Sequence, residues 1–288
     1  MAKQRELKNI YKSMKPYVKE VAQSTLINPD FYKISLKAAL AKTYDFNSYV
    51  SGLKSTYHSF YHTATLRGIC EDLIVLKAIR ETPVEDRSNL IMYLQLHEMF
   101  QAMRTQGRFF RKNHHQIVLD DAIADEYSDN ELTKALAIYD QYGFPRDRFG
   151  PSKKKLAQRA NLAEIYDFLY AATSTWVHFS PHILFRMGWA SSKERSATFT
   201  YTTKHFSRYY ASFNAVYGTY LFGLFCETFE TELGINPKSK KYLEELGLYI
   251  GSILRWPEII TFEEMNMKVP SMILQALYSV TKAYTETE

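Results

Sequence analysis

From Asn47 to Arg80 the chain runs without a proline and returns apolar side chains at helical spacing: Val50, Leu53, Tyr57, Phe60 and Ala64, then Ile69, Leu73 and Leu76. A strand would alternate every second residue instead, so this stretch predicts helix. The same economy holds throughout, since 288 residues contain only 11 glycines and 9 prolines. So few breakers favour long helices over many short strands. Gly52 and Gly68 each weaken the run by ~1 kcal/mol relative to alanine, which predicts close helix approach at both.

Punctuation places the other helices. Leu7, Ile10, Tyr11, Met14, Tyr17, Val18 and Val21 predict an opening helix bent near Pro16. Asn28-Pro29-Asp30 caps a short helix to about Lys42, and Thr82-Pro83 opens one to about Gln106. Ser128 to Glu131 has the form of a capping box before a helix ending near Gly143, and Phe144 to Ser152 is a loop. Leu156 to His178 is helical again, and Ser180-Pro181 starts another helix. A long helix from about Lys204 ends at Gly234, and two more follow near Ser239 to Arg255 and Pro270 to Tyr284. Only "SATFTYTT" (196–203) alternates like a strand. The expected fold is all-α, an elongated multi-helix bundle with little or no sheet. Its segments are N-terminal helices over 1–45, a core over 46–192 and C-terminal helices over 193–288.

Hydrophobic residues at 46% supply a globular core. Cys70 and Cys226 lie inside apolar helical patterns, which predicts buried thiols and a reducing compartment. The charged N-terminus lacks a signal-peptide core, and "YGTYLFGLFCETF" is too short for a span of ~20 residues. The expectation is a soluble cytoplasmic protein with no membrane contact. The net charge of +5 is uneven: residues 145–159 carry six basic residues against one acid, and 119–131 carry six acids and no base. Arg146, Arg148, Lys153, Lys154, Lys155 and Arg159 are therefore nucleic-acid-binding candidates, with a solvated loop as the plain alternative.

Several chemistries are excluded. There is no Glu-x-x-His pair for a di-iron bundle, no His-Glu-x-x-His and no phosphate-cradling glycine loop. His58 and His62 are one turn apart, as two metal ligands would be, but no third ligand is identifiable. Neither metal nor cofactor is expected. Arg67 and Glu71 share a helix face in the middle of an apolar run. They read either as a structural ion pair or as a guanidinium held by Glu71 and aimed at a phosphate. His178 falls at a helix C-terminus, where a cation is favoured, and His182 in a first turn, where it is not. His178 is thus a candidate acid/base, or simply a capping histidine beside Trp176.

Arg67-x-x-x-Glu71 on one helix, followed by Tyr170, Ser174, Val177, His178 and Ser180 on another, resembles an uncharacterised bacterial helical family that looks HEPN-like (higher eukaryotes and prokaryotes nucleotide-binding). The likeness covers roughly residues 50–190. It implies a helical bundle of the kind found among metal-independent ribonucleases of toxin–antitoxin and phage-defence systems, usually completed by a homodimer. On that likeness His178 would activate a ribose 2′-hydroxyl, Arg67 would stabilise the phosphate and Glu71 would orient it, with Tyr170 and Ser174 as secondary candidates; His182 is a further secondary candidate by its nearness in sequence to His178. The chain departs from the usual Arg-polar-x-x-x-His pattern on one helix. The nearest spacing is Arg108 with His114 or His115, and the hydrophobic Phe109 follows that arginine, so Arg108 and His114 are secondary candidates. The alternative is a non-catalytic helical module that binds a protein, nucleotide or nucleic-acid partner within a defence assembly.

Overall fold

A computed structural model describes residues 2–23, 29–113, 121–147, 150–190, 199–254 and 256–257. They form an all-α bundle with two short antiparallel ribbons. Helix α1 (Ala2–Val21), with Pro16 inside it, buries Leu7, Tyr11, Met14 and Val18 at the predicted spacing. Helix α2 (Phe31–Gly52) starts where Asp30 accepts a hydrogen bond from the Lys33 N–H at 3.0 Å. It continues ten residues beyond Lys42, because Tyr44, Asn47 and Val50 extend the buried face. The position between residues 45 and 46 therefore lies inside one helix.

The long run after Asn47 is divided. Helix α2 ends at Gly52, α3 is one turn (Ser59–His62), and α4 covers Thr65–Ala78. Tertiary partners accompany the break: Thr56 Oγ1 lies 3.1 Å from Ser207 Oγ, and Asn214 donates to the Ser59 carbonyl at 2.8 Å. The sequence shows the apolar period but not these distant partners.

Helices α5 (Val84–Asn113) and α6 (Asp121–Gln141) pack together as a hairpin. The expected capping box lies inside α6, where Ser128 is buried against His97. Its serine thus serves a tertiary contact, not a helix end. A ribbon of β1 (Arg146–Asp147) and β2 (Gly150–Pro151) follows in the predicted loop. The helix expected over Leu156 to His178 is two, α7 (Lys153–Arg159) and α8 (Ala163–Val177), separated by Asn161 at φ 54°.

After α9 (Pro181–Arg186), β3 (Gly188–Ala190) pairs with β4 (Phe199–Tyr201), the latter inside the predicted alternating stretch. Helix α10 (Ser207–Thr228) crosses α2, and α11 (Glu230–Leu233) ends at Gly234 with φ 60°, the left-handed C-cap the sequence predicts. Helix α12 (Pro237–Gly251) is capped by Asn236, which accepts from the Ser239 N–H at 2.8 Å. The helix expected over 270–284 lies outside the described residues. A single buried cluster joins side chains from Leu7 to Leu246, so all three sequence segments contribute to one core.

Close approach occurs at Gly218, whose missing Cβ would sit 2.7 Å from Asn47 Oδ1 and from Phe46. Asn47 Nδ2 donates to the Gly218 carbonyl at 2.9 Å, tying α2 to α10. Gly68 also meets expectation, since a Cβ there would lie 3.3 Å from Lys42 Nζ. Gly52 does not: among the described residues nothing lies within 4 Å of its would-be Cβ.

Candidate functional site

Helix α4 carries Arg67 and Glu71 one turn apart, and α8 packs against it. Arg67 Nε donates to Glu71 Oε1 at 2.8 Å, with both side chains only about a quarter exposed. The guanidinium carbon lies 4.5 Å from the centre of the Tyr170 ring, and Tyr166 packs beside Tyr170 at 5.6 Å between centroids. One carboxylate and one aromatic face therefore hold the arginine from two sides. The hydrogen bond to Glu71 raises the Arg67 pKa further, so its charge is permanent. Burial, reinforced by Glu71, raises the Tyr166 phenol as well, which keeps that hydroxyl protonated at neutral pH.

Among the expected site residues, Arg67, Glu71 and Tyr170 are brought together. Tyr166 joins them, although the sequence reading passed over it; its signal was the four-residue interval that also relates Tyr170, Ser174 and His178. Ser174 continues this row, and its carbonyl accepts the His178 N–H at 3.3 Å. His178 is the C-cap of α8, in extended backbone (φ −116°, ψ 159°), with its side chain exposed. It stands two turns beyond Tyr170, about 12 Å along the axis at 1.5 Å per residue. His182 lies in the first turn of α9, as expected.

The other candidates sit elsewhere. Arg108 is on the outer part of α5, 3.6 Å from Asp125 of α6 and largely exposed. His114 and Arg148 lie outside the described residues. Three cations of the basic stretch pair within their own fold. Arg146 makes a two-pronged pair with Asp140 at 2.8 and 2.9 Å, and Lys154 reaches Asp167 at 3.3 Å. Arg159 stacks 4.3 Å over Phe144 and donates to the carbonyls of Tyr142 and Gly143. Lys155 is exposed on α7. His58 is the exposed N-cap of α3, whereas the His62 ring packs edge-on to Tyr49 at 4.9 Å. Both cysteines are free and buried, and burial pushes the Cys70 thiol up to about 12.

A cleft of about 760 Å³ that Glu71 also lines opens between α2, α4 and α5. Lys42, Glu71, Asp72, His97, Glu98 and Lys153 provide its ionisable groups. Lys42 pairs with Asp72 at 2.7 Å. His97 is buried with Nδ1 2.9 Å from Ser128 Oγ and 3.0 Å from the Ser128 carbonyl oxygen, which fixes the ring. Its one signal in the sequence was position, three residues after Leu94 and seven after Leu90 on the inward face of α5.

Residues 62–195 match the model of a family of unknown function (DUF5677). The matched segment contains α4 through α9 and so holds Arg67, Glu71, Tyr166, Tyr170 and His178 together. No curated protein and no solved structure matches the chain. Among the described residues no helix is long and apolar enough to cross a membrane, and no group of three or more His, Cys, Asp or Glu side chains gathers as a metal site.

Proposed function

We propose that this protein is an RNA-cleaving effector of a prokaryotic defence or toxin system that works without metal. Arg67 takes the phosphate and His178 serves as acid/base. The arrangement of Arg67 carries this reading. A guanidinium fixed through Nε by Glu71 and stacked on Tyr170 has, among the described residues, two terminal nitrogens left for an incoming oxyanion, the fork that suits phosphate. The HEPN-like resemblance of the same residues supplies the substrate class.

In this reading His178 removes the proton from a ribose 2′-hydroxyl, whose oxygen attacks the adjacent phosphorus while the 5′-oxygen leaves and is protonated. Arg67 stabilises the charge on the phosphate. The interval of about 12 Å along α8 requires a bent strand or a second protomer to bring His178 to that phosphate. A homodimer fits this need. Purified protein in EDTA is expected to cut single-stranded RNA, and His178→Ala and Arg67→Ala to abolish cutting. Full activity in both variants would overturn the assignment.

The same interval favours a second reading, in which the Arg67 cluster and the adjoining cleft bind a protein, nucleotide or nucleic-acid partner without cleavage. Stable binding with no cutting at any protein concentration would select it.

A further inference from the structure

Two stretches of the chain contain no acidic residue at all, residues 46–70 and residues 199–226. They are distant in sequence, yet the fold packs them together. Helix α3 lies against α10, with Thr56 meeting Ser207 at 3.1 Å, Tyr61 Oη 3.3 Å from Thr203 Oγ1, and Phe60 edge-on to Tyr210 at 5.6 Å. The surface so formed exposes two tyrosines: Tyr57 is 55% accessible and Tyr61 is 61%. Cations are interleaved with them. Lys204 places its ammonium 5.4 Å from the Tyr57 ring centre, and Lys54, His58 and Arg208 are exposed on the same two segments. The first acid of α10, Glu227, lies about 30 Å up the helix from Ser207.

Large aromatic faces turned to water cost free energy unless something covers them. Two acid-free segments with interleaved cations select a polyanion that also carries flat rings. We infer that the face formed where these segments meet is a stacking platform for single-stranded RNA. Bases stack on Tyr57 and Tyr61 while Lys204, Arg208 and Lys54 accompany the backbone. Duplex RNA buries its base faces and cannot use the rings this way. The platform lies mostly outside the segment matched by the family model, and α4 with Arg67 begins three residues after α3 ends. The inference deepens the RNA reading by placing the strand, and rests on that reading only for the choice of RNA over DNA.

The test is fluorescence anisotropy with the full chain and a labelled 2′-fluoro-uridine 12-mer, which lacks the hydroxyl needed for cleavage. A blunt 12-base-pair RNA duplex is the comparison. Wild type is expected to bind the single strand more tightly and to weaken with salt. Tyr57→Ala/Tyr61→Ala should lose about ten-fold in affinity, while Tyr57→Phe/Tyr61→Phe stays near wild type. Lys204→Glu/Arg208→Glu should lose at least as much. No binding by wild type, equal binding of the duplex, or an unchanged alanine pair overturns the platform. The two readouts separate the proposals: Arg67→Ala removes cleavage of ordinary RNA in the active-site reading, whereas Tyr57→Ala/Tyr61→Ala lowers affinity for the uncleavable 12-mer, so the failure of either effect overturns only its own reading.

Discussion

The Arg67 guanidinium lies 4.5 Å from the Tyr170 ring centre while its Nε holds Glu71 at 2.8 Å, so one arginine joins α4 to α8 through two different interactions. The stacked contact is worth about 0.5–1 kcal/mol at an exposed site and more where, as here, the pair is partly buried. Tyr170→Phe keeps the ring and should leave thermal stability, and in the proposed reading RNA cleavage, near wild type. Tyr170→Ala should lower both, and Arg67→Lys, which keeps charge but loses the fork, should cut activity at least ten-fold with little change in melting temperature. Activity assays beside thermal melts decide this.

Two glycines of α10 should respond oppositely to alanine. At Gly218 the added methyl meets Asn47 and Phe46 at 2.7 Å, and overpacking should cost roughly 1–3 kcal/mol. At Gly223 nothing among the described residues lies within 4 Å of an added Cβ, and the gain in helix propensity should stabilise by up to about 1 kcal/mol. Urea denaturation of the two variants reads both signs.

Ser128→Ala should destabilise by about 1–3 kcal/mol, because it removes one hydrogen-bonding partner from the buried His97 ring. Ser128→Asn, a harmless exchange at a helix cap, should be at least as damaging here, since the side chain is buried between α5 and α6. A tolerated asparagine would return Ser128 to the role of a cap.

Burial lowers the His62 pKa, and its Nε2 is shut off from solvent with no hydrogen-bond partner among the described residues. The folded state therefore binds its proton less readily than the unfolded chain does. Stability from the neutral ring is fully present above the unfolded value near 6.5 and is lost as pH falls through the lowered folded value. Melting temperatures at pH 7.5 and 5.5 should fall more steeply for wild type than for His62→Gln. Parallel curves would show that His62 does not contribute.

The sequence by itself determined the helical class and several helix ends. Those features are local: Asp30, Asn236 and Gly234 act on backbone groups within a few residues, and His178 becomes a C-cap because Ser180-Pro181 follows. The pair Arg67–Glu71 was legible for the same reason, being one turn apart. What only the tertiary structure decided depends on partners far along the chain. It breaks the run after Gly52 around Ser207 and Asn214, turns the apparent capping box into a buried partner of His97, and engages Arg146, Lys154 and Arg159 within their own fold. It also sets Tyr170 over Arg67 and joins two acid-free segments into one face, because packing, unlike capping, is indifferent to separation in sequence.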